Sequence, residues 1–198
     1  ARRLCDQWFR RRYARTVDLK ARPVGRTTIQ KGFELWVGLY TPWSFEITIA
    51  DDNPGAQGVL ELLSLMHESL PGWMKPELAR AAVNVVQFAG FGRTVRGGRK
   101  VEHRSDRLGR ECRSKWQVET AFNLRAGRKW TPNMLHATEV AFWARNPAEV
   151  LLGLVQGVPD VPGTAISLES TARGHGGVFY DEVQLAQSPE SSYELVFV

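Results

Sequence analysis

Over its first seventy residues the chain switches repeatedly between two hydrophobic periods. Apolar residues in Leu4–Tyr13 recur at roughly helical spacing, with Trp8 and Phe9 as anchors. Thr16-Val17-Asp18-Leu19 then alternates as a short strand, and the pattern is broken at Pro23 and Gly25. From Thr27 to Tyr40 the helical period returns through Ile29, Phe33, Leu35, Trp36 and Leu39, ending before Pro42. Phe45–Ala50 is a strand, Asp51–Gly55 a turn, and Ala56–Leu70 a third helix stopped by Pro71-Gly72. Strands that alternate with helices long enough to cross back over them imply crossover units and a parallel sheet.

The later segments are less regular. Val83–Phe88 and Trp116–Ala121 read as strands on either side of a Gly/Arg-rich loop at Gly90–Gly98. Met134–Ala137 reads as a buried strand, Pro147–Val158 as a helix and Thr164–Leu168 as a strand. Gly177–Ala186 opens a helix, and Tyr193–Val198 is a last strand. At 198 residues, 43% hydrophobic and 24% charged, residues 1–198 are expected to form one α/β domain that buries a core without covalent staples. No apolar run approaches the ~18 residues of a membrane span. Ala1–Asp6 lacks the apolar segment of a signal peptide. Cys5 and Cys112 are too few and too far apart for a disulfide framework or a zinc site. A reduced, cytosolic compartment without membrane contact is the expectation.

Charge is concentrated. Residues 1–31 carry ten basic and two acidic side chains, and residues 92–130 carry twelve and four, so each block has a net charge of +8. The remaining residues sum to −11, within an overall +5. Basic blocks on an otherwise acidic chain suit contacts to polyanions, either nucleotide phosphates or a nucleic-acid backbone. A solvated basic surface is the alternative.

Three segments carry candidate chemistry. Lys20-Ala21-Arg22-Pro23-Val24-Gly25-Arg26-Thr27-Thr28 lies between a strand and a helix, where backbone N–H groups and a helix N-terminus cradle phosphate and a hydroxyl reaches Mg²⁺. The pattern G-x-x-x-x-G-K-[ST] is incomplete: the first Gly is absent and Arg26 stands at the Lys position. Thr27 is the candidate Mg²⁺ ligand, or alternatively a helix N-cap. Glu139, following the apolar Met134–Ala137, is the candidate carboxylate for activating water; it also suits the first turn of a helix. His136 reads as a core histidine. In Leu168-Glu169-Ser170-Thr171-Ala172-Arg173-Gly174, small hydroxyl residues at a strand end followed by glycine suit a γ-phosphate sensor or a plain turn. All three segments fall at strand C-termini, where parallel sheets bind ligands.

Lys20–Thr28, Leu135-His136-Ala137-Thr138-Glu139-Val140-Ala141-Phe142-Trp143 and Glu169-Ser170-Thr171-Ala172-Arg173-Gly174, continuing into Gly176-Gly177-Val178-Phe179-Tyr180, together resemble the ATPase domain of the large terminase subunit of tailed bacteriophages. That subunit is the motor that packages DNA into a preformed capsid. The resemblance implies an α/β fold: a P-loop NTPase of the additional-strand type, with a mostly parallel central sheet flanked by helices. It implies ATP and Mg²⁺ as cofactors, bound by Arg22, Val24, Gly25, Arg26, Thr27 and Thr28, with Thr27 on the metal. It makes Glu139 the catalytic base and Ser170-Thr171-Ala172 the motif coupling hydrolysis to DNA movement. Lys20 and Arg128 become candidate phosphate or nucleic-acid contacts. The implied partners are double-stranded DNA, the portal protein, the small terminase subunit and further copies in a ring. The implied location is the host cytoplasm, transiently at the procapsid portal.

The chain departs from the family pattern at several points. Pro23 replaces a Gln and removes a backbone donor from the loop. Arg26 replaces a Lys, and a planar guanidinium is not equivalent to an ammonium on phosphate; Lys20 or Arg22 can supply the cation instead. Thr138 stands where many P-loop enzymes carry an Asp on the Mg²⁺ side, though a hydroxyl residue before the Glu is familiar in this branch, and Lys129 replaces a Gly. These departures support a second expectation: a degenerate P-loop domain that binds DNA or a packaging partner without efficient turnover. A helicase-like ATPase is a third reading, against which no helicase motif set is visible. Large terminases also carry a C-terminal nuclease domain, and the carboxylates after Ser170 (Asp181, Glu182, Glu190 and Glu194) leave no room for one. No nuclease activity is expected of these 198 residues, which read as the ATPase half of a two-domain machine.

Overall fold

In the central strands, alternate residues face opposite sides, and the two sides differ sharply in chemistry. Val17, Ile47, Ile49, Leu135, Ile166 and Leu168 lie on one face. Thr16, Asp18, Glu46, Thr48, His136, Ser167 and Glu169 alternate with them and are equally buried. A computed structural model describes residues 2–21, 25–90, 112–123 and 131–197. The described elements are α1 (Arg2–Arg11), β1 (Tyr13–Lys20), α2 (Arg26–Tyr40), β2 (Phe45–Ala50), α3 (Asn53–Glu68), β3 (Glu77–Ala82), β4 (Val85–Gly90), β5 (Lys115–Thr120) and β6 (Met134–Ala137). A 3₁₀ turn (Val140–Phe142), α4 (Pro147–Gly157), β7 (Thr164–Thr171), α5 (Val178–Ala186) and β8 (Glu194–Phe197) complete the order.

The strands form one sheet in the order β3-β4-β5-β2-β6-β7-β1-β8. From β5 to β8 every neighbouring pair is parallel, while β3 and β4 add an antiparallel hairpin at one edge. The apolar face packs under α4 and α5 through Val150, Leu151, Leu154, Phe179 and Val183. On the other face α2 and α3 close Leu35, Leu39, Val59 and Leu63 over Phe88, Trp116 and Val118. Beside them α1 seats Leu4 and Trp8 against Phe33, Val37 and Met134, the Trp8 and Phe33 rings meeting edge-on at 5.5 Å. No described helix is long and apolar enough to cross a membrane.

The alternation explains how α2 is built. It lays Arg26, Gln30, Lys31 and Glu34, all buried, over the polar strand face. Lys31 pairs with Glu34 and Thr48, Gln30 donates to Glu34 at 3.0 Å, and Trp116 of β5 donates its indole N–H to Glu46. Buried charge of this kind persists only when paired. Part of the first basic block faces inward, while Arg10, Arg11 and Arg12 are exposed. Arg15, Arg26 and Lys31 are 4%, 2% and 0% exposed, because they serve carboxylates, hydroxyls and carbonyls inside the domain. The second block lies mostly outside the described residues, as does the Gly/Arg-rich loop.

Candidate functional site

Strands β1, β6 and β7 end side by side, with β7 between the other two. The register sets Asp18 beside Glu169, Leu19 beside Ser170 and Lys20 beside Thr171. One residue past β6 and Thr138, Glu139 adopts the left-handed region at φ 52° and precedes the 3₁₀ turn. A non-glycine residue held there is strained, a condition that clusters at functional sites. Glu139 caps nothing with its side chain, so the helix-dipole role is not the one it takes. Its carboxylate instead meets the Lys20 ammonium at 3.0 Å, with Ser170 Oγ and the Thr171 N–H each 3.5 Å away.

Glu169 lies at the centre of the arrangement and is fully buried. Its Oε1 accepts from Thr27 Oγ1 at 2.5 Å, Thr138 Oγ1 at 2.9 Å and Lys20 Nζ at 3.3 Å. His136 Nε2 is 3.3 Å from the same oxygen, while its Nδ1 is 3.8 Å from Glu34. Burial alone would raise the Glu169 carboxyl. The charge of His136, then Lys20 and the Thr27 hydroxyl, outweigh it and hold the group well below the usual carboxylate range. Glu169 Oε2 is buried and has no hydrogen-bond partner. Asp51, just past β2, completes the acidic edge; burial, Asp52 and the nearby Glu139 charge raise its carboxyl.

Gly25 takes the left-handed conformation, φ 65°, at the N-cap of α2, with no side-chain cap. Thr27 therefore sits one residue inside the helix, and its hydroxyl is free of capping duty. The first-turn N–H groups of a helix have no partner within it, and such an N-terminus suits an anion. Arg26 corrects the expectation of a side chain on phosphate: its guanidinium is 2% exposed and donates to Asp18 at 2.7 Å. Thr28 is exposed. Within the described part of the loop, Lys20 is the cation that reaches the edge, in the place Arg26 leaves open. Arg22, Pro23 and Val24 fall outside the described residues, as do Arg128 and Lys129. Ser170 accepts from the Ala141 N–H at 3.2 Å and so ties β7 to the turn after Glu139, while Ala172 is exposed on a cleft of about 240 Å³ beside Leu19, Phe179 and Tyr180.

Sequence reasoning missed three members of this site. Asp18 passed as an ordinary strand residue, His136 as a core histidine, and Glu169 as the flank of the hydroxyl motif. The signal available was a carboxylate set among apolar residues in each of two strands, Asp18 between Val17 and Leu19 and Glu169 after Leu168. No group of three or more metal-ligating side chains occurs among the described residues.

The strand order, with β7 inserted between the strand leading into the Lys20–Thr28 loop and the strand leading to Glu139, is that of a P-loop NTPase fold of the additional-strand type. Solved structures with this fold include large terminase ATPase domains. The ATPase domain of the Thermus phage P74-26 large terminase superposes with a TM-score of 0.61 at 15% identity, covering 94% of this chain and 75% of that one. The large terminase of the thermophilic bacteriophage D6E gives 0.65 at 11% identity, covering 92% of this chain but 39% of that one. The Phi-28 gp11 DNA packaging motor gives 0.51 at 12% identity, covering all of this chain and 58% of that one. No protein-family model and no curated protein matches the sequence.

Proposed function

We propose that this chain is the ATP-hydrolysing module of a motor that packages viral double-stranded DNA. The observation that carries the reading is the convergence of Thr27, Glu139 and Glu169–Thr171 at one edge of the sheet, with Lys20 among them. The N–H groups of Gly25–Thr28 would hold the phosphates, and the Thr27 hydroxyl would hold Mg²⁺, whose charge offsets that of the β- and γ-oxygens. Glu139 is half-buried beside the strand ends and is the group placed to take a proton from water. Lys20 neutralises it at rest and, drawn to phosphate, leaves the carboxylate free to act. Ser170 and Thr171 touch Glu139 from β7, so a change at the carboxylate reaches that strand directly. DNA, a portal protein, a small terminase subunit and a ring of copies in the host cytoplasm are the partners and setting such a motor requires. The nuclease step associated with large terminases is not part of this proposal.

A second reading, binding of DNA or a partner without turnover, draws on Arg26, which stands at the Lys position of the motif and pairs its Nη2 with Asp18. DNA-stimulated ATP hydrolysis by this chain and its Glu139→Gln variant separates the two. Slow turnover is expected, reduced in the variant by about 10²–10⁴-fold. Equal rates would remove Glu139 as the base; DNA binding without any turnover would favour the second reading.

A further inference from the structure

The acid that orients the divalent cation in P-loop enzymes usually comes from the strand that also carries the catalytic carboxylate. Here that position, directly after β6, is Thr138, a hydroxyl, and it does not accept a proton from Thr27. It donates its own to Glu169, at 2.9 Å. Thr27 donates to the same Glu169 oxygen at 2.5 Å. A hydroxyl whose proton is committed to an anion keeps its lone pairs for a cation. The other Glu169 oxygen is buried with no hydrogen-bond partner among the described residues, while Lys20 and His136, each at 3.3 Å, stand against Oε1, so Oε2 is the oxygen left to meet a further positive group.

From this geometry we propose that Glu169, on the inserted strand β7, is the positioning residue for the nucleotide's divalent cation, aligning Thr27 in place of the missing carboxylate after β6. The task has moved by one strand across the sheet, and Thr138 has become a donor that holds the substitute in place. The inference rests on the nucleotide-site reading above.

Calorimetric titration of ADP, in EDTA and across a range of Mg²⁺ or Mn²⁺ concentrations, tests it. For Glu169→Gln the metal affinity of the ADP complex should fall about 10–100-fold, the loss typical of removing a residue that orients a metal ligand, while ADP binding in EDTA is not weakened. Adding Thr138→Asp to that variant should restore most of the metal dependence, which a merely structural role for Glu169 would not allow. Unchanged metal dependence in Glu169→Gln, or no rescue by the double variant, overturns the proposal. Failure of the unaltered chain to bind ADP with or without metal overturns the nucleotide-site reading itself, and this proposal with it. If the amide variant does not fold, Glu169→Asp carries the test. It keeps the buried charge but draws the carboxylate back by one methylene, so metal affinity should fall; undiminished metal affinity overturns the proposal.

Discussion

Arg26 occupies the loop position where an ammonium usually meets phosphate, yet its guanidinium turns inward to Asp18. Asp18 also accepts from Thr16 at 2.9 Å and Ser167 at 3.0 Å, so the arginine completes a buried carboxylate cage under the first turn of α2. Removing one partner of such a pair leaves an uncompensated charge, and Arg26→Met should lower stability by about 3–5 kcal/mol, as read by urea unfolding. Arg26→Lys restores the common residue of the motif but not the fork that reaches Asp18. It should lower the urea midpoint without raising ATP turnover. A lysine variant that is faster and equally stable would show that the guanidinium suppresses a site it does not touch.

Among the elements, α2 follows the proposed phosphate loop, and its far end fixes how closely it can lie on the sheet. A Cβ on Gly38 would stand 2.5 Å from the Trp116 ring. That ring cannot yield, because its indole N–H is bonded to Glu46 and its edge packs on Phe88 at 4.3 Å. Gly38→Ala should therefore destabilise by about 1–3 kcal/mol through overpacking, exceeding the helix-propensity gain of up to ~1 kcal/mol. Gly32→Ala, in the same helix with nothing within 4 Å of the added methyl, should stabilise by about 0.5–1 kcal/mol; urea unfolding of both variants makes the comparison. Periodicity found α2, as it found β2, β6 and α4, because their apolar residues recur on one face. It missed β3, Glu77–Ala82, whose residues are mostly exposed and which is held by its ladder to β4. It ended β7 at Leu168, although Glu169, Ser170 and Thr171 continue the strand fully buried. A polar residue signals solvent until its partners are known. The partners of Glu169 come from β1, α2 and the end of β6, 31 to 149 residues away in sequence. Motif order placed Thr27 and Glu139 at a common edge; nothing in their spacing announced the carboxylate between them.

Across the whole domain, the polar face beneath α2 makes stability depend on pH in two opposed ways. Glu169 is held below its ordinary 4.5 by His136, Lys20 and Thr27 against the effect of burial. Its contribution is present above that value and is lost as pH falls toward its folded-state value. Glu46 runs the other way: burial and the neighbouring Glu34 charge push it well above 4.5, against Lys31 and the Trp116 N–H. For a raised carboxyl the contribution is intact below 4.5 and is lost as pH climbs through the folded value, at about 1.4 kcal/mol for each pH step between the two values. The two effects oppose each other, Glu169 weakening the fold toward low pH and Glu46 toward high pH. Glu46→Gln keeps an acceptor for Trp116 but cannot ionise. Its stability relative to the unaltered chain should therefore improve as pH rises above 4.5, whatever fixed penalty the new amide brings. Urea unfolding of both proteins across that range reads the difference directly. A gap that stays constant would mean that Glu46 enters the fold already ionised, and that Lys31 serves two carboxylates at once.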